Sequence, residues 1–323
     1  MRIKNYISPL LPHDIVVIVF SVFLIVVNII FCERIEHWSI LTGLNIFVIA
    51  FVVIIANLSE SERNSIIKNI RIWYIAPMVL LTFKQLYFMI APIHGKDYDD
   101  LLIEIDRLLF GVDPTVWLSK FATPVLTEVI QIAYSSFYFL FIVAGYELYR
   151  KGEMGKFYFS AFLVVYGFYL SYIGYFFLPA VGPRFTLHNF ATLNTELPGL
   201  FVTNFLRDFV NYGESIVKGH PNPAEIVQRD IFPSGHTQMT LVLLYITKKY
   251  KMKTTGFIWT TGILLIFGTV YLRYHYVIDL IAGALFMLLT VWSANYVYEG
   301  WNVMRQRLSL NPLYKSSRRP SAD

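Results

Sequence analysis

Repeated apolar runs of roughly 20 residues constrain this chain most, because a run of that length can cross a bilayer as a helix. Of its 323 residues, 56% are hydrophobic and 15% are charged, whereas about 25% are charged in ordinary soluble domains. The chain therefore lacks the polar residues needed to coat a globule of its size. Cys32 is the single cysteine, so no internal disulfide can form. We predict an all-α integral membrane protein.

The apolar pattern predicts a polytopic transmembrane helix bundle of about eight spans, with Trp and Tyr near several span ends as interfacial anchors. The N-terminal stretch is interpreted as a retained helix rather than a signal peptide. The predicted spans are residues 14–32, 38–57, 72–93, 125–148, 157–179, 235–248, 256–272 and 276–298.

The chain is expected to divide into four parts. They are N-terminal transmembrane helices (1–93), an amphipathic interfacial segment (94–124), a catalytic transmembrane core (125–298) and a basic cytoplasmic tail (299–323). In the interfacial segment, apolar residues recur at helical spacing among acidic ones, and a Gly and a Pro end the pattern. This segment is either a connector lying on the membrane surface or a gate for lipid.

Basic residues predict the orientation of the bundle. Seventeen of the 27 lysines and arginines fall in the connections on one side of the predicted bundle, and nine fall on the other side. By the positive-inside rule the richer side, which holds both termini, is cytoplasmic. The basic tail suits an anionic leaflet, so the net charge of +5 requires no nucleic acid as a partner. The candidate site residues then face the extracytoplasmic side.

Titratable residues at the ends of apolar runs are the main functional signal, because charged groups are costly there and usually functional. His275 and Asp279 are four residues apart at the start of the last run, so on a helix they share a face. The Asp could accept a hydrogen bond from one imidazole nitrogen, which makes the other a better nucleophile or base. The pair alone is also compatible with a contact that merely joins two helices.

The stretch Pro233-Ser234-Gly235-His236 predicts an anion site. Ser234 is suited to cap a helix that begins near Gly235. The first N–H groups of a helix carry partial positive charge and bind phosphate. Gly235 would let a ligand approach the backbone, and His236 would lie beside the bound anion. Without other evidence, His236 is also compatible with a satisfied interfacial histidine.

Two arginines complete the predicted site. Arg184 follows a span that ends in Pro and Gly, and Arg273 precedes His275 by two residues. Arginine binds phosphate oxygens bidentately, although each one singly is also compatible with a charge that extends to the interface. Together the residues fit phosphoryl transfer, in which cations hold the phosphoryl group, one histidine attacks and another protonates the departing oxygen. No metal or other cofactor is needed.

These motifs resemble the type 2 phosphatidic acid phosphatase superfamily. Residues 233–236 match its Pro-Ser-Gly-His motif in full, and His275 and Asp279 match the His-x-x-x-Asp of its last motif. The resemblance covers roughly residues 125–298. It implies a six-helix core, to which the first two or three spans are an addition.

The resemblance also implies a role for each site residue. His275 would be the nucleophile that forms a phosphohistidine, and Asp279 would orient and charge it. His236 would be the general acid for the leaving group. Ser234 and Gly235 would donate hydrogen bonds to the phosphate.

Four positions depart from that family pattern. Gly268 and Thr269 stand where Ser-Arg is usual, Phe177 stands at the place of a Lys, and Phe185 replaces a Pro. The Gly-Pro-Arg and Tyr-Leu-x-x-His-Tyr-x-x-Asp-Leu-Ile-x-Gly patterns resemble instead the inositol phosphorylceramide synthase branch, whose members are head-group transferases (inositolphosphotransferases). Fewer cations favour either a phosphodiester, which carries one negative charge, or a phosphomonoester, which carries nearly two, held with the help of other groups.

We therefore expect a membrane-embedded lipid phosphotransferase with a phospholipid or other lipid phosphate as substrate. The alternatives are a lipid phosphate phosphatase acting on phosphatidate or a polyprenyl (pyro)phosphate, and a non-catalytic lipid-binding protein. Lys84 and Gln85 either reach the site or serve helix packing. Residues 185–232 either cover the pocket, recognise the head group or only connect helices.

Overall fold

The computed structural model describes residues 7, 9–61 and 65–307, and within them all regular structure is helical, which confirms the all-α prediction. Most of the predicted basic tail lies outside the described residues. The longer helices are Pro12–Ile30, Trp38–Ser61, Ser65–Trp73, Ile75–Tyr87, Asp99–Phe110, Pro124–Ser135, Phe137–Arg150, Met154–Tyr175, Thr203–Gly213, Gly235–Lys249, Thr255–Tyr271 and Val277–Arg307. Short helices are Ile90–His94, Pro114–Leu118, Pro183–Thr186, Leu193–Glu196 and Pro223–Ile226, with 3₁₀ turns at Ser119–Phe121 and Phe190–Thr192.

Helices occupy every predicted span, but they differ in length. Within the described ranges, the helical stretches long and apolar enough to cross a membrane are Pro12–Ile30, Trp38–Glu60, Ile75–His94, Met154–Tyr175 and Val277–Met304. Pro124–Ser135 and Phe137–Arg150, bent by 52°, make a sixth if they form one span. The sixth and seventh predicted spans fall short, because Gly235–Lys249 and Thr255–Tyr271 have 15 and 17 residues and a helix needs about 20. Five or six helices therefore qualify by length and composition.

The chain forms two compact units. The first comprises residues 1–85, 148–169 and 289–323, and the second comprises residues 86–147 and 170–288. Every predicted catalytic or phosphate-binding residue belongs to the second unit. Lys84 and Gln85 belong to the first unit, where Gln85 accepts a hydrogen bond of 2.6 Å from the amide of Asn45.

The first helix of the second unit after residue 94 matches the amphipathic pattern of the sequence. It runs from Asp99 to Phe110 and ends at Gly111, whose φ of 71° is readily adopted by glycine. Asp99 and Asp106 are buried on one face of this helix, whereas Leu108 is 85% exposed. We call this element the acidic helix.

A buried ion pair links two helices of the first unit. Asp14 accepts hydrogen bonds from the guanidinium of Arg71, one of them 2.6 Å long, and another from the hydroxyl of Tyr74. The Asp14 and Arg71 side chains are both buried. The pair therefore joins the start of Pro12–Ile30 to Ser65–Trp73.

We expect Asp14→Asn to lower the free energy of unfolding by about 3–5 kcal/mol, because it leaves the Arg71 charge buried without a carboxylate. Thermal unfolding of the detergent-solubilised protein, followed by circular dichroism, measures the effect. Asp113→Asn is the matched control, because its partner Arg107 is exposed, and it should leave the midpoint unchanged. Equal midpoints for the two variants would contradict a stabilising role for the buried pair.

Candidate active site

The rings of His236 and His275 lie close together in the second unit. Their centroids are 5.8 Å apart, and the ring planes make an angle of 62°. His236 is on the first turn of Gly235–Lys249, and His275 lies just before the last helix begins at Val277. Both imidazoles can therefore reach a single phosphoryl group.

A backbone carbonyl fixes the tautomer of His275. Its Nδ1 lies 3.0 Å from the carbonyl oxygen of Ile231, and because that oxygen only accepts, Nδ1 carries the hydrogen. Burial lowers the pKa of His275 well below its ordinary value, and the charges of His236 and Arg184 lower it further. The ring is therefore neutral near pH 7, with its lone pair on Nε2.

The contact between Asp279 and His275 differs from the predicted hydrogen bond. Asp279 Oδ2 lies 3.4 Å from His275 Nδ1. This oxygen accepts a hydrogen bond of 2.8 Å from the backbone N–H of Tyr276 instead. The other carboxylate oxygen, Oδ1, is buried and has no partner in the described structure. The Ile231 carbonyl therefore orients the ring, and the Asp279 carboxyl lies beside Nδ1 without a hydrogen bond to it.

Ser234 caps the helix that carries His236, as the sequence predicts. Its hydroxyl oxygen accepts a 3.2 Å hydrogen bond from the N–H of Thr237. The N–H of Ser234 donates to the backbone carbonyl of Asp279 at 3.0 Å. The cap is therefore joined directly to the helix that carries Asp279.

The side of Gly235 where a Cβ would lie is filled by protein. A Cβ at this position would lie 2.4 Å from the hydroxyl of Tyr175 and 3.2 Å from Oγ of Ser171. Glycine is therefore required here for helix packing, because any larger residue would collide with Tyr175.

The two predicted phosphate-binding arginines are buried, and each is paired with a carboxylate. Arg184 bonds to Glu214 and, at 3.1 Å, to the amide oxygen of Asn211. Arg273 bonds to Glu196. The Nε–H groups of both arginines are buried without an acceptor in the described residues. The backbone N–H of Arg184 donates to the Arg273 carbonyl at 3.1 Å, so the two residues are adjacent.

The turn that carries Arg273 and His275 is held in an uncommon backbone conformation. Arg273 has a φ of 69°, which costs a non-glycine residue about 1–3 kcal/mol. The N–H groups of Tyr274 and His275 both donate to the carbonyl of Thr269 at 2.9 Å. Thr269 stands where the resembling family has an Arg, and here it supports the turn through its backbone.

Aromatic rings surround His236. Its ring lies 4.8 Å from that of Tyr134 and 4.5 Å from that of Phe137. Tyr134 stacks on Tyr274 at 4.4 Å, and the Arg184 guanidinium lies 4.8 Å from the Tyr274 ring. His236 is half-buried among these rings, and no sequence motif predicted them.

Residues 185–232 contribute directly to the site. Glu196, Asn211 and Glu214 all lie in this segment and contact the two arginines. Glu128, on the helix Pro124–Ser135, accepts four backbone hydrogen bonds from residues 200–203. The segment is therefore fixed to the helices and is more than a connector.

A third buried arginine lies in the same segment. Arg207 donates to Asn194 and, at 3.0 Å, to the carbonyl of Leu197. Burial lowers its pKa, and the neighbouring Arg273 and Arg184 charges act in the same direction. Sequence reasoning missed Arg207, because it lies in no motif.

Among the described residues, no group of three or more His, Cys, Asp or Glu could hold a metal ion.

Comparison with known families assigns the chain. A family model described as the PAP2 superfamily matches residues 100–293, which is more than half of the chain. The chain belongs to the PAP2 superfamily. Comparisons with curated proteins and with solved structures gave no match.

The PAP2 superfamily is a helical membrane fold whose members act as phosphatases or phosphotransferases on phosphate esters. The match begins within the acidic helix and ends within the last helix, so it contains both histidines, Asp279 and both paired arginines. The superfamily resemblance read from the sequence is thus confirmed.

We expect Glu196→Gln to strengthen binding of orthovanadate, a phosphate analogue, by about fivefold, because it removes a negative charge from Arg273. Isothermal titration of the detergent-solubilised protein measures the affinity. Glu225→Gln is the matched control, because Glu225 is bonded to Asn222 rather than to either site arginine. Unchanged or weaker vanadate binding in Glu196→Gln would refute this account of the arginine's charge.

Proposed function

We propose that the protein is a membrane-embedded lipid phosphotransferase that forms a phosphohistidine. It takes a phosphoryl or phospho-head group from a lipid donor and passes it to an acceptor hydroxyl. The observation that carries the proposal is the 5.8 Å approach of the two imidazoles, together with the tautomer of His275 set by the Ile231 carbonyl.

In the first half-reaction, Nε2 of His275 attacks phosphorus as the bond from phosphorus to the leaving oxygen breaks. His236 gives its proton to that oxygen. Asp279 stabilises the positive charge that develops on the His275 ring, because its carboxylate is 3.4 Å from Nδ1. Arg184 and Arg273 offer their Nε–H groups to the non-bridging oxygens.

In the second half-reaction, His236 takes a proton from the acceptor hydroxyl as the acceptor oxygen attacks phosphorus. The bond from phosphorus to His275 then breaks, and both histidines return to their starting forms. His236 lies among neutral, aromatic side chains. An anionic phosphoryl group bound beside the ring favours the protonated form of His236, because opposite charges attract.

Charge balance around the arginines favours a donor with one negative charge. Glu214 and Glu196 offset much of the charge of Arg184 and Arg273. A phosphodiester therefore fits better than a phosphomonoester, which supports head-group transfer of the inositolphosphotransferase kind. By the positive-inside rule, the site faces the extracytoplasmic side and both termini are cytoplasmic.

A lipid phosphate phosphatase is the second candidate, because it shares the first half-reaction and differs only in using water as the acceptor. The buried Nε–H groups of both arginines favour the phosphatase, because they can bind the additional charged oxygen of a phosphomonoester. Its substrate would be phosphatidate or a polyprenyl (pyro)phosphate.

Trapping a labelled donor on the protein tests the proposal. Phosphatidylinositol carrying ³²P and a tritiated inositol is compared with ³²P-phosphatidate, and the reaction is quenched in alkali, where phosphohistidine survives. We expect both labels of phosphatidylinositol to remain on the protein, and none on His275→Ala. Retention of ³²P from phosphatidate alone, with release of inorganic phosphate, would establish the phosphatase instead.

His236→Ala separates the general acid from the nucleophile. We expect it to slow labelling by lipid donors about 100-fold or more, because an alkoxide leaves poorly without a proton. Labelling by p-nitrophenyl phosphate should fall much less, because its leaving group needs no acid. His275→Ala should abolish labelling from both donors. An equal loss with both esters in His236→Ala would exclude the acid role.

The reactive form of His275 predicts the pH dependence. Because burial lowers the pKa of His275 below 6.5, the imidazole keeps its lone pair as pH falls through 6.5 and loses it only at lower pH. The acidic limb of kcat/KM for p-nitrophenyl phosphate, which reports the free enzyme, should therefore lie below pH 6.5. A midpoint at or above pH 6.5 would contradict a lowered pKa of His275.

A further inference from the structure

Two buried carboxylates of the acidic helix face the turns that carry the site. Asp99 and Asp106 are seven residues apart, so they share a face two turns apart. Their side chains are 5% and 2% exposed. Asp100 and Glu104 lie on the exposed face of the same helix, which separates the acids of this element into two groups.

Asp99 binds the backbone that precedes Arg184. Its Oδ2 accepts a 3.0 Å hydrogen bond from the N–H of Val181, and Oδ1 accepts one of 2.8 Å from the N–H of Gly182. Gly182 has a φ of 95°, which an L side chain rarely adopts. The carboxylate therefore holds this glycine turn in the conformation that directs the following Pro183-Arg184.

Asp99 also reaches the residue that follows His275. The hydroxyl of Tyr276 donates to Asp99 Oδ1 at 2.7 Å. The same hydroxyl lies 2.7 Å from that of Thr186. One carboxylate thus ties together the turn of Arg184 and the turn of His275.

Asp106 fixes the start of the last helix. Its two oxygens accept hydrogen bonds from the N–H groups of Val277 and Ile278, each 2.8 Å long. The preceding N–H, of Tyr276, is bound by Asp279. Three successive N–H groups after His275 therefore end on carboxylates, which sets where Asp279 lies relative to the imidazole.

Burial raises the pKa of both Asp99 and Asp106 above the ordinary value, although these hydrogen bonds act in the opposite direction. Their charged forms are therefore kept at a cost in free energy. Perturbed carboxyl groups of this kind cluster at functional sites. Hydrogen bonds to a carboxylate are about twice as strong as neutral ones, which suits rigid placement of the two turns.

We propose that Asp99 and Asp106 are positioning residues for phosphoryl transfer. They hold the turn that precedes Arg184 and the turn from His275 to Asp279 in fixed positions relative to each other. This inference rests on the function proposed above. Neither side chain touches the reacting atoms, so each acts through the backbone that it binds. A small displacement of reacting groups can cost about 100-fold in rate.

Asp99→Asn and Asp106→Asn test this inference in the full-length protein in lipid nanodiscs. Each change keeps the size of the side chain but presents an NH₂ group to a backbone N–H. We expect kcat for p-nitrophenyl phosphate to fall about 100-fold, with KM changed less than about threefold. Asp106→Glu, which restores a carboxylate, should recover part of kcat. Asp100→Asn and Glu104→Gln are the matched controls and should behave as the unmutated protein.

A second readout does not depend on turnover. In ¹⁵N-histidine-labelled protein, His275→Ala identifies the His275 resonances, which report the Nδ1–H tautomer. We expect Asp99→Asn and Asp106→Asn to shift or broaden these resonances, and the Asp100 and Glu104 controls to leave them unchanged. Unmoved His275 resonances with kcat within twofold of the unmutated value would overturn the positioning role.

The two readouts separate the inference from the proposed function. Shifted His275 resonances in a protein that turns over no phosphate ester would support the positioning geometry and reject the enzyme. Normal turnover with no effect of either Asn variant would support the enzyme and reject positioning. Unfolding midpoints of all variants, measured alongside, show whether a loss of kcat comes from a loss of fold, which would also reject positioning.

Discussion

The hydrogen bond from His275 Nδ1 to the Ile231 carbonyl is the contact on which the site depends. It joins the two segments of chain that carry the histidines, because Ile231 lies just before the Ser234 cap. A second bond, from the N–H of Ser234 to the carbonyl of Asp279, joins the same segments on the other side. Both acceptors are backbone carbonyls. These two bonds to backbone carbonyls therefore bring the two imidazoles close together. Nε2 of His275 takes part in neither bond.

Two of the three buried arginines near this site have their charge balanced locally. The described structure pairs Arg184 with Glu214 and Arg273 with Glu196. A buried cation without a partner would cost several kcal/mol, so these carboxylates stabilise the arginines before any anion binds. An incoming phosphate must compete with them, which limits how much anionic charge the site can stabilise. In the proposed reaction this weakens ground-state binding and leaves the cations able to respond as charge develops in the transition state.

Sequence alone predicted the parts of the site that belong to local motifs. The Ser234 cap follows from the residues around it, and the membership of His236, His275 and Asp279 in one cluster followed from motif resemblance. What escaped prediction depends on long-range pairing. The Ile231 carbonyl that orients His275 is backbone, and a carbonyl leaves no mark in the sequence. Glu196 and Glu214 lie in a segment without a recognisable pattern, and the close contact between Gly235 and the hydroxyl of Tyr175 is also long-range.

The fold was predicted in type but less well in length. Hydropathy located a helix at each predicted span, yet the helix that carries His236 has 15 residues. A full-length span there would need about five more residues. Ser234 caps the helix at its N-terminus, and this cap must reach the last helix to bond to Asp279. A helix start set by these contacts places the His236 ring beside that of His275, whatever length of apolar sequence follows. The start of this helix is therefore set by the contacts of its cap with the segment that carries the partner histidine.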